Sequence, residues 1–127
     1  KNYIKQNFYS GDIIIFNNLK IKYLVNLYKK SKLYIFSSYC EVFGLTSLEA
    51  MTQKTPVLIS DRSAIPEINE KNVVYFNPDK ISEIYKGMTN LIDNKNLRNK
   101  LIKKAYKHSQ KFRWNKTVSK TIKILQI

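Results

Sequence analysis

SSYCEVFGLTSLEAM, residues 37–51, holds two of the chain's nine acidic side chains, Glu41 and Glu49, on either side of Gly44, one of only three glycines. Its polar opening gives way to TSLEAMTQK (46–54), which reads as a helix with Leu48 and Met51 on one face. LYIF (33–36) just before it and PVLIS (56–60) just after it are apolar runs of strand length. Strand, glycine-closed loop, helix and strand in that order build a parallel sheet, because a parallel partner is reached only by a crossover.

The pattern continues outward. DIIIF (12–16) is a β-branched run that predicts a strand, and LKIKYLVNLYKKS (19–31) spaces Ile21, Leu24, Val25 and Tyr28 as one helical face. DRSAIPE (61–67) reads as a loop and VVYF (73–76) as a fourth short strand. NPDKISEIYKGMTNLID (77–93) predicts a helix capped by Asn77, with Pro78 in its first turn and a stripe of Ile81, Ile84, Tyr85, Met88, Leu91 and Ile92. Residues 94–112 and 115–127 read as two basic amphipathic helices. The expected fold is α/β and Rossmann-like, a parallel sheet with helices on both faces. In such sheets ligands bind beyond the carboxyl ends of the strands, where the 37–51 segment lies.

At 127 residues and 43% hydrophobic, the chain has the size and composition of one globular domain. It contains no apolar run of membrane-spanning length, and KNYIKQNFYS at its start has no signal-peptide core. The single Cys40 excludes an internal disulfide, fits a reducing compartment, and reads as a small buried apolar residue. The scarcity of arginine and alanine beside abundant lysine, isoleucine and asparagine is the bias of an AT-rich bacterial genome. Net charge is +14, yet residues 94–127 hold eleven of the 23 Lys and Arg and no acid. That stripe is either a solvated face or a surface for phosphate-rich partners, an anionic membrane or nucleic acid. Tyr106, Phe112 and Trp114 sit on or near its apolar positions and read as core, which argues against nucleic acid.

Glycines at 11, 44 and 87 alone leave no room for a dinucleotide fingerprint or a P-loop. One cysteine and one histidine cannot make a metal cluster. His108 lies in a basic helix without a carboxylate to orient it, which excludes the usual triad and suggests an exposed or half-buried helix residue. The 41–49 segment keeps two readings. Thr46 and Glu49 match a capping box, with Thr46 as N-cap and Glu49 reaching back to its amide. Alternatively, Gly44 lets the backbone approach a ligand, the N–H groups of residues 44–47 suit a diphosphate, and Glu41 and Glu49 accept hydrogen bonds from sugar hydroxyls.

Over about residues 12–118 the chain resembles the C-terminal, donor-binding domain of retaining glycosyltransferases of the GT-B fold, family 4. SSYCEVFGLTSLEAM matches that family's Glu-x7-Glu pattern, and KTPVLIS, SAIPEI, VVYFNP and KFRWNKT follow in the family's order. The resemblance implies that Glu41 is catalytic and contacts the donor hexose. It also implies that the backbone of Phe43, Gly44, Leu45 and Thr46 meets sugar and diphosphate, and that Glu49 holds the ribose. It implies no cofactor and no essential metal: the nucleotide-diphosphate sugar is the substrate, and the acceptor, a saccharide or lipid-linked glycan, belongs to an N-terminal domain. Residues 1–127 are accordingly expected to be a partial C-terminal domain, inactive alone, of a cytoplasmic or peripheral inner-membrane enzyme of capsule or lipopolysaccharide synthesis. A non-catalytic sugar-nucleotide module and a nucleic-acid binder are the rival readings. Three departures stand out. Lys54 replaces a customary glycine, and Asn69-Glu70-Lys71 replaces a glycine-bearing turn expected to tolerate change. The family's earlier strand, with a glycine followed by the Arg and Lys that grip the diphosphate, has no equivalent before residue 12.

Overall fold

The structure, a computed structural model, describes residues 13–125. Three strands, β1 (Tyr34–Phe36), β2 (Val57–Ser60) and β3 (Val74–Phe76), lie side by side in that order. Both pairings are parallel, with Tyr34 opposite Val57 and Leu58 opposite Val74. Helices α1 (Ile21–Lys30), α2 (Leu45–Thr52), α3 (Ile65–Asn69), α4 (Ile81–Asp93), α5 (Lys95–Ser109) and α6 (Trp114–Leu125) complete the described residues.

All four residues of β2 are buried, as a central parallel strand requires. Alternation along it sorts the core. Val57 and Ile59 join Tyr28 of α1, Leu48 and Met51 of α2, and Ala105 of α5 on one face. Leu58 joins Phe76 and Leu91 of α4 on the other, with Ile84, Met88 and Leu101 packed around them. Apolar cover on both faces makes this the Rossmann-like α/β architecture expected from the sequence.

Several local expectations fail for identifiable reasons. Residues 13–16 of the DIIIF run form no strand, and Asp12 lies outside the described residues. Ile14 is 72% exposed, and among the described residues no strand pairs with the free edge of β1. β-branching supplies propensity, but a strand needs a ladder partner and covered faces. Helix α4 begins at Ile81, four residues late. Asn77 folds into a local turn instead: its Oδ1 accepts from the Asp79 amide at 2.9 Å, a bond that competes with helix. The α4 stripe is narrower than its spacing suggests, since Ile81 and Tyr85 are exposed. The 61–67 loop ends in the short helix α3. Cys40 is exposed rather than buried, because it sits in the loop after β1 and not in the strand.

The basic C-terminal quarter divides. Asn94 caps α5 by accepting from the Leu97 amide at 2.9 Å, and Arg98 donates to the carbonyls of Leu91 and Ile92 at the end of α4. A guanidinium there satisfies orphan carbonyls and favours the negative end of the helix dipole. By contrast, α6 has no buried residue, and Trp114 is 75% exposed. The aromatics near 106–114 are therefore not core: Phe112 touches Phe43 and His108, yet Tyr106, Phe112 and Trp114 all stay exposed because among the described residues no element covers them.

Two backbone positions bear on the sequence departures and on the α4–sheet contact. Lys54 takes φ +61°, so the turn after α2 keeps a left-handed backbone although a lysine occupies it. Its ammonium lies 5.0 Å over the Tyr106 ring. In α4, Gly87 lies against Leu58, and a Cβ there would approach Leu58 Cδ1 to 2.5 Å. Gly87→Ala gains about 1 kcal/mol of helix propensity but overpacks a fully buried leucine at about 1–3 kcal/mol. A net loss of about 1 kcal/mol is expected in urea-denaturation midpoints; a gain in stability would show that the α4–sheet contact is loose.

Candidate functional site

The segment that follows β1 is held open by Gly44, whose φ of +76° and ψ of +48° place it in the left-handed region as the N-cap of α2. Its position meets only Phe36 Cε1, at 4.0 Å from a built Cβ, so backbone conformation rather than space calls for glycine here. The capping box does not form. Thr46 lies inside the helix and its Oγ1 accepts from the Tyr34 hydroxyl at 2.9 Å. Glu49 turns the other way, and its Oε2 accepts from the Tyr28 hydroxyl at 3.2 Å. The partners that override the local motif come from β1 and α1, distant in sequence.

The helix start is pinned from below. Ser47 is fully buried, and its hydroxyl is shared between the Gly44 carbonyl and Asn69 Oδ1, both at 2.8 Å. Asn69, also fully buried, spends its amide on the Ile65 carbonyl at 2.8 Å. The turn at 69–71 is thus not a tolerant one: its first residue holds the helix that carries Glu49. The Ser47 amide bonds the Gly44 carbonyl at 3.1 Å, which removes one of the four N–H groups expected to face outward. Those of Gly44, Leu45 and Thr46 meet no acceptor among the described residues.

Three loops at the carboxyl edge of the sheet are tied together. Ser63, itself at φ +56°, donates from Oγ to the Glu41 carbonyl at 2.8 Å. Arg62 donates to Asn77 Oδ1 at 2.9 Å and Asp79 Oδ2 at 2.8 Å, and Tyr39 donates to Asp79 Oδ1 at 2.8 Å. The Tyr39 hydroxyl and the Arg62 guanidinium hold the Asp79 carboxyl below its ordinary range. Glu41 is half-buried, and its carboxylate has no hydrogen-bond donor among the described residues.

Burial pushes the Tyr34 phenol above its usual value, with smaller contributions from the charges of Glu49 and Glu41. Glu41 lies in the loop before the Gly44 turn and Glu49 on α2 after it, so the two acids flank the helix start along the chain. Burial likewise raises Tyr28, which stays protonated and donates to Glu49. Phe43 and Leu45 belong to a different surface. With Phe112, Trp114 and Thr117 they line a groove of about 300 Å³. Tyr28, Leu24 and Val25 line a second cavity, of about 260 Å³, that includes Glu49. Glu41, Phe43, Gly44, Leu45, Thr46 and Glu49 are expected from the sequence as one unit; the structure adds Tyr28, Tyr34, Arg62, Asn69 and Asp79 as the side chains that hold this segment and its neighbouring loops. The tyrosines carried one signal, their place on the inward face of α1 and in β1; nothing local marked the others.

A family model described as "Glycosyl transferases group 1" matches residues 1–108. The chain is 37% identical over 71 residues to the serotype-specific mannosyltransferase WbdA of Escherichia coli, an alignment covering 56% of this chain and 9% of that protein. It is 38% identical over 66 residues to the O-antigen chain mannosyltransferase RfbU of Salmonella typhimurium, covering 52% and 17%. An uncharacterized glycosyltransferase of Methanocaldococcus jannaschii is 28% identical over 107 residues, covering 82% and 27%. The chain thus spans about a quarter or less of these relatives' lengths. Sucrose-phosphate synthase from Thermosynechococcus elongatus superposes with a TM-score of 0.88 at 18% identity, over 98% of this chain and 32% of that one. That similarity identifies the fold, one Rossmann-like lobe of the GT-B type.

Two outcomes test the supports of this segment. Asn69→Ala leaves the buried Ser47 hydroxyl one acceptor short and should cost about 1–3 kcal/mol in chemical denaturation; a neutral effect would mean that the pair does not anchor α2. The Asp79 carboxyl is depressed in the folded state, so its contribution is present above the unfolded carboxylate range and is lost as pH falls through the lower folded value. Asp79→Asn should therefore flatten the stability–pH curve below about pH 4, where the wild-type curve falls. An unchanged acid limb would assign that fall to other carboxylates.

Proposed function

Because the chain belongs to the glycosyl transferases group 1 family, we propose that it is the donor-binding lobe of a retaining, family 4 glycosyltransferase that moves a hexose from a nucleotide-diphosphate sugar to a bacterial surface glycan. One observation carries the reading: the Gly44, Leu45 and Thr46 amides at the start of α2 lack acceptors among the described residues, with Glu41 in the loop before them and Glu49 on the helix after them. That segment offers hydroxyl acceptors on either side of an anion seat. The mannosyltransferase relatives support mannose as the first hexose to test.

In this reading the three amides and the positive end of α2 receive the diphosphate. Charge grows there as the bond from the anomeric carbon to the leaving oxygen breaks, and donors fixed in advance stabilise it without reorganising. Gly44 allows the approach. Glu41, free of competing donors among the described residues, takes the hexose hydroxyls and is the residue nearest the reacting carbon. Glu49, oriented by the Tyr28 hydroxyl, takes the ribose hydroxyls, and the cavity that it shares with Leu24, Val25 and Tyr28 gives the nucleoside an apolar wall. The family resemblance implies no essential metal, and in this scheme the three amides meet the diphosphate. The acceptor, a saccharide or lipid-linked glycan, is supplied on a second lobe.

No helix among the described residues is long and apolar enough to cross a membrane. The cationic exposed faces of α5 and α6 suit instead a peripheral position on the anionic cytoplasmic face of the membrane, where a lipid-linked acceptor would be found.

Isothermal titration of nucleoside-diphosphate hexoses into the full-length protein tests the site. Glu49→Ala should weaken donor binding roughly 10- to 100-fold, the value of a lost charge-assisted pair. Glu41→Ala should depress turnover more than affinity. Unchanged affinity and turnover in both variants would sink the assignment.

A further inference from the structure

Lys104, Lys107, His108 and Lys111 recur at the three- and four-residue spacing that puts side chains on one face of a helix. They border a cavity of about 640 Å³ whose opposite wall is the turn between α3 and β3, with Glu70 and Lys71. None of these residues belongs to the Glu41–Glu49 segment, and their chemistry does not depend on the donor reading. Like charges at these spacings repel, and Lys71 adds another from the facing turn. Glu70 is the one acid lining the cavity among the described residues. Its carboxylate stands 3.7 Å from Lys111 Nζ and 3.6 Å from His108 Nδ1.

His108 is the unusual member. The ring is 3% exposed, contrary to its expected exposure, because it packs edge-on against Phe112 and under α3. Its Nε2 lies 2.7 Å from the Ile68 carbonyl. A carbonyl only accepts, so Nε2 carries the hydrogen and Nδ1 is left for other use. Nδ1 is buried and has no hydrogen-bond partner among the described residues, since Glu70 stops short of bonding distance. A buried polar atom left unpaired is costly, and native structures rarely keep one without a purpose. Glu70 itself sits at φ +50° and ψ −140°, a backbone region that residues with side chains seldom adopt. A strained acid thus stands as the counter-charge in a cavity otherwise lined by cations.

We propose that this cavity binds a phosphate group, borne either by a small phosphomonoester or by a lipid headgroup, with Lys104, Lys107 and His108 Nδ1 as its ligands. The chemistry fits at Nδ1 in either state of the ring. A protonated imidazole donates to a phosphate oxygen, and a neutral one accepts from the hydroxyl of a singly charged phosphate. The ammoniums supply charge-assisted hydrogen bonds, and the anion relieves the repulsion along α5. Glu70 is the competing charge that the ligand displaces; more than half of its side chain is exposed, so it can swing into solvent.

His108 is the only histidine of the chain, so its imidazole proton resonances report on this cavity alone. Inorganic phosphate, titrated into the 127-residue protein at constant ionic strength with chloride as the control, should shift them saturably. Lys104→Gln combined with Lys107→Gln should weaken that binding about tenfold or more, while Glu70→Gln should tighten it about threefold, as expected for removing attractive and repulsive charges near a surface. All three side chains are exposed, and the gain from Glu70→Gln cannot be produced by misfolding. Phosphatidylcholine vesicles carrying phosphatidic acid separate the two sources. Recruitment that inorganic phosphate competes away assigns a lipid headgroup, and saturable phosphate binding without recruitment assigns a soluble ester. The proposal falls if chloride reproduces the shift, or if the lysine and Glu70 variants bind phosphate as the wild type does.

Discussion

The left-handed turn at Gly44 holds the whole Glu41–Glu49 segment in place. It ends the loop leaving β1, starts α2 one residue later, and leaves amides of the first turn pointing away from the core. That turn is kept by burial rather than by a side-chain cap. The Ser47 hydroxyl binds the Gly44 carbonyl on one side and Asn69 on the other, and both side chains are closed to solvent. In a low-dielectric interior such a fully partnered pair fixes position well, since any slip would strand a polar atom.

The two carboxylates receive unequal treatment. Glu49 is oriented by Tyr28, on a helix some twenty residues earlier, while among the described residues Glu41 is positioned through its backbone alone, by Ser63. A carboxylate that accepts from one phenol keeps most of its accepting capacity, which suits the gripping role proposed for Glu49. One held only by its main chain can follow a ligand. Tyr34 of β1 bonds Thr46, which ties the first turn of α2 to the sheet.

Charge is similarly divided. Part of the basic surplus has structural work, as where Arg98 closes α4 and Lys54 lies over Tyr106. Much of the rest, along α5 and α6, faces solvent. Glycine scarcity has a comparable cost: Asn18, Lys54, Ser63 and Glu70 all take positive φ without being glycine. Two of them border the candidate sites, Ser63 beside Glu41 and Glu70 at the basic cavity of α5. Strain of about 1–3 kcal/mol at such a residue persists only where surrounding contacts determine it, and Ser63 makes one with Glu41.

The parallel α/β order and the grouping of Glu41, Gly44 and Glu49 were legible in the sequence, because both follow from local periodicity and from residues close along the chain. Apolar runs of strand length between helical patterns leave few other topologies, and the ordered blocks after the Glu-x7-Glu segment point to the same family. Where partners lie far apart in sequence, the folded chain had the deciding voice. Thr46 and Glu49 satisfy a capping motif on paper, yet Tyr34 and Tyr28 claim them. Ile14 has strand propensity but no ladder, and Trp114 has apolar spacing but no cover. His108 looks solvent-facing in a basic helix and is buried beneath α3. Propensity is a property of the neighbouring chain, whereas burial and hydrogen bonding belong to whichever surfaces the fold brings together, and at these residues the second outweighed the first.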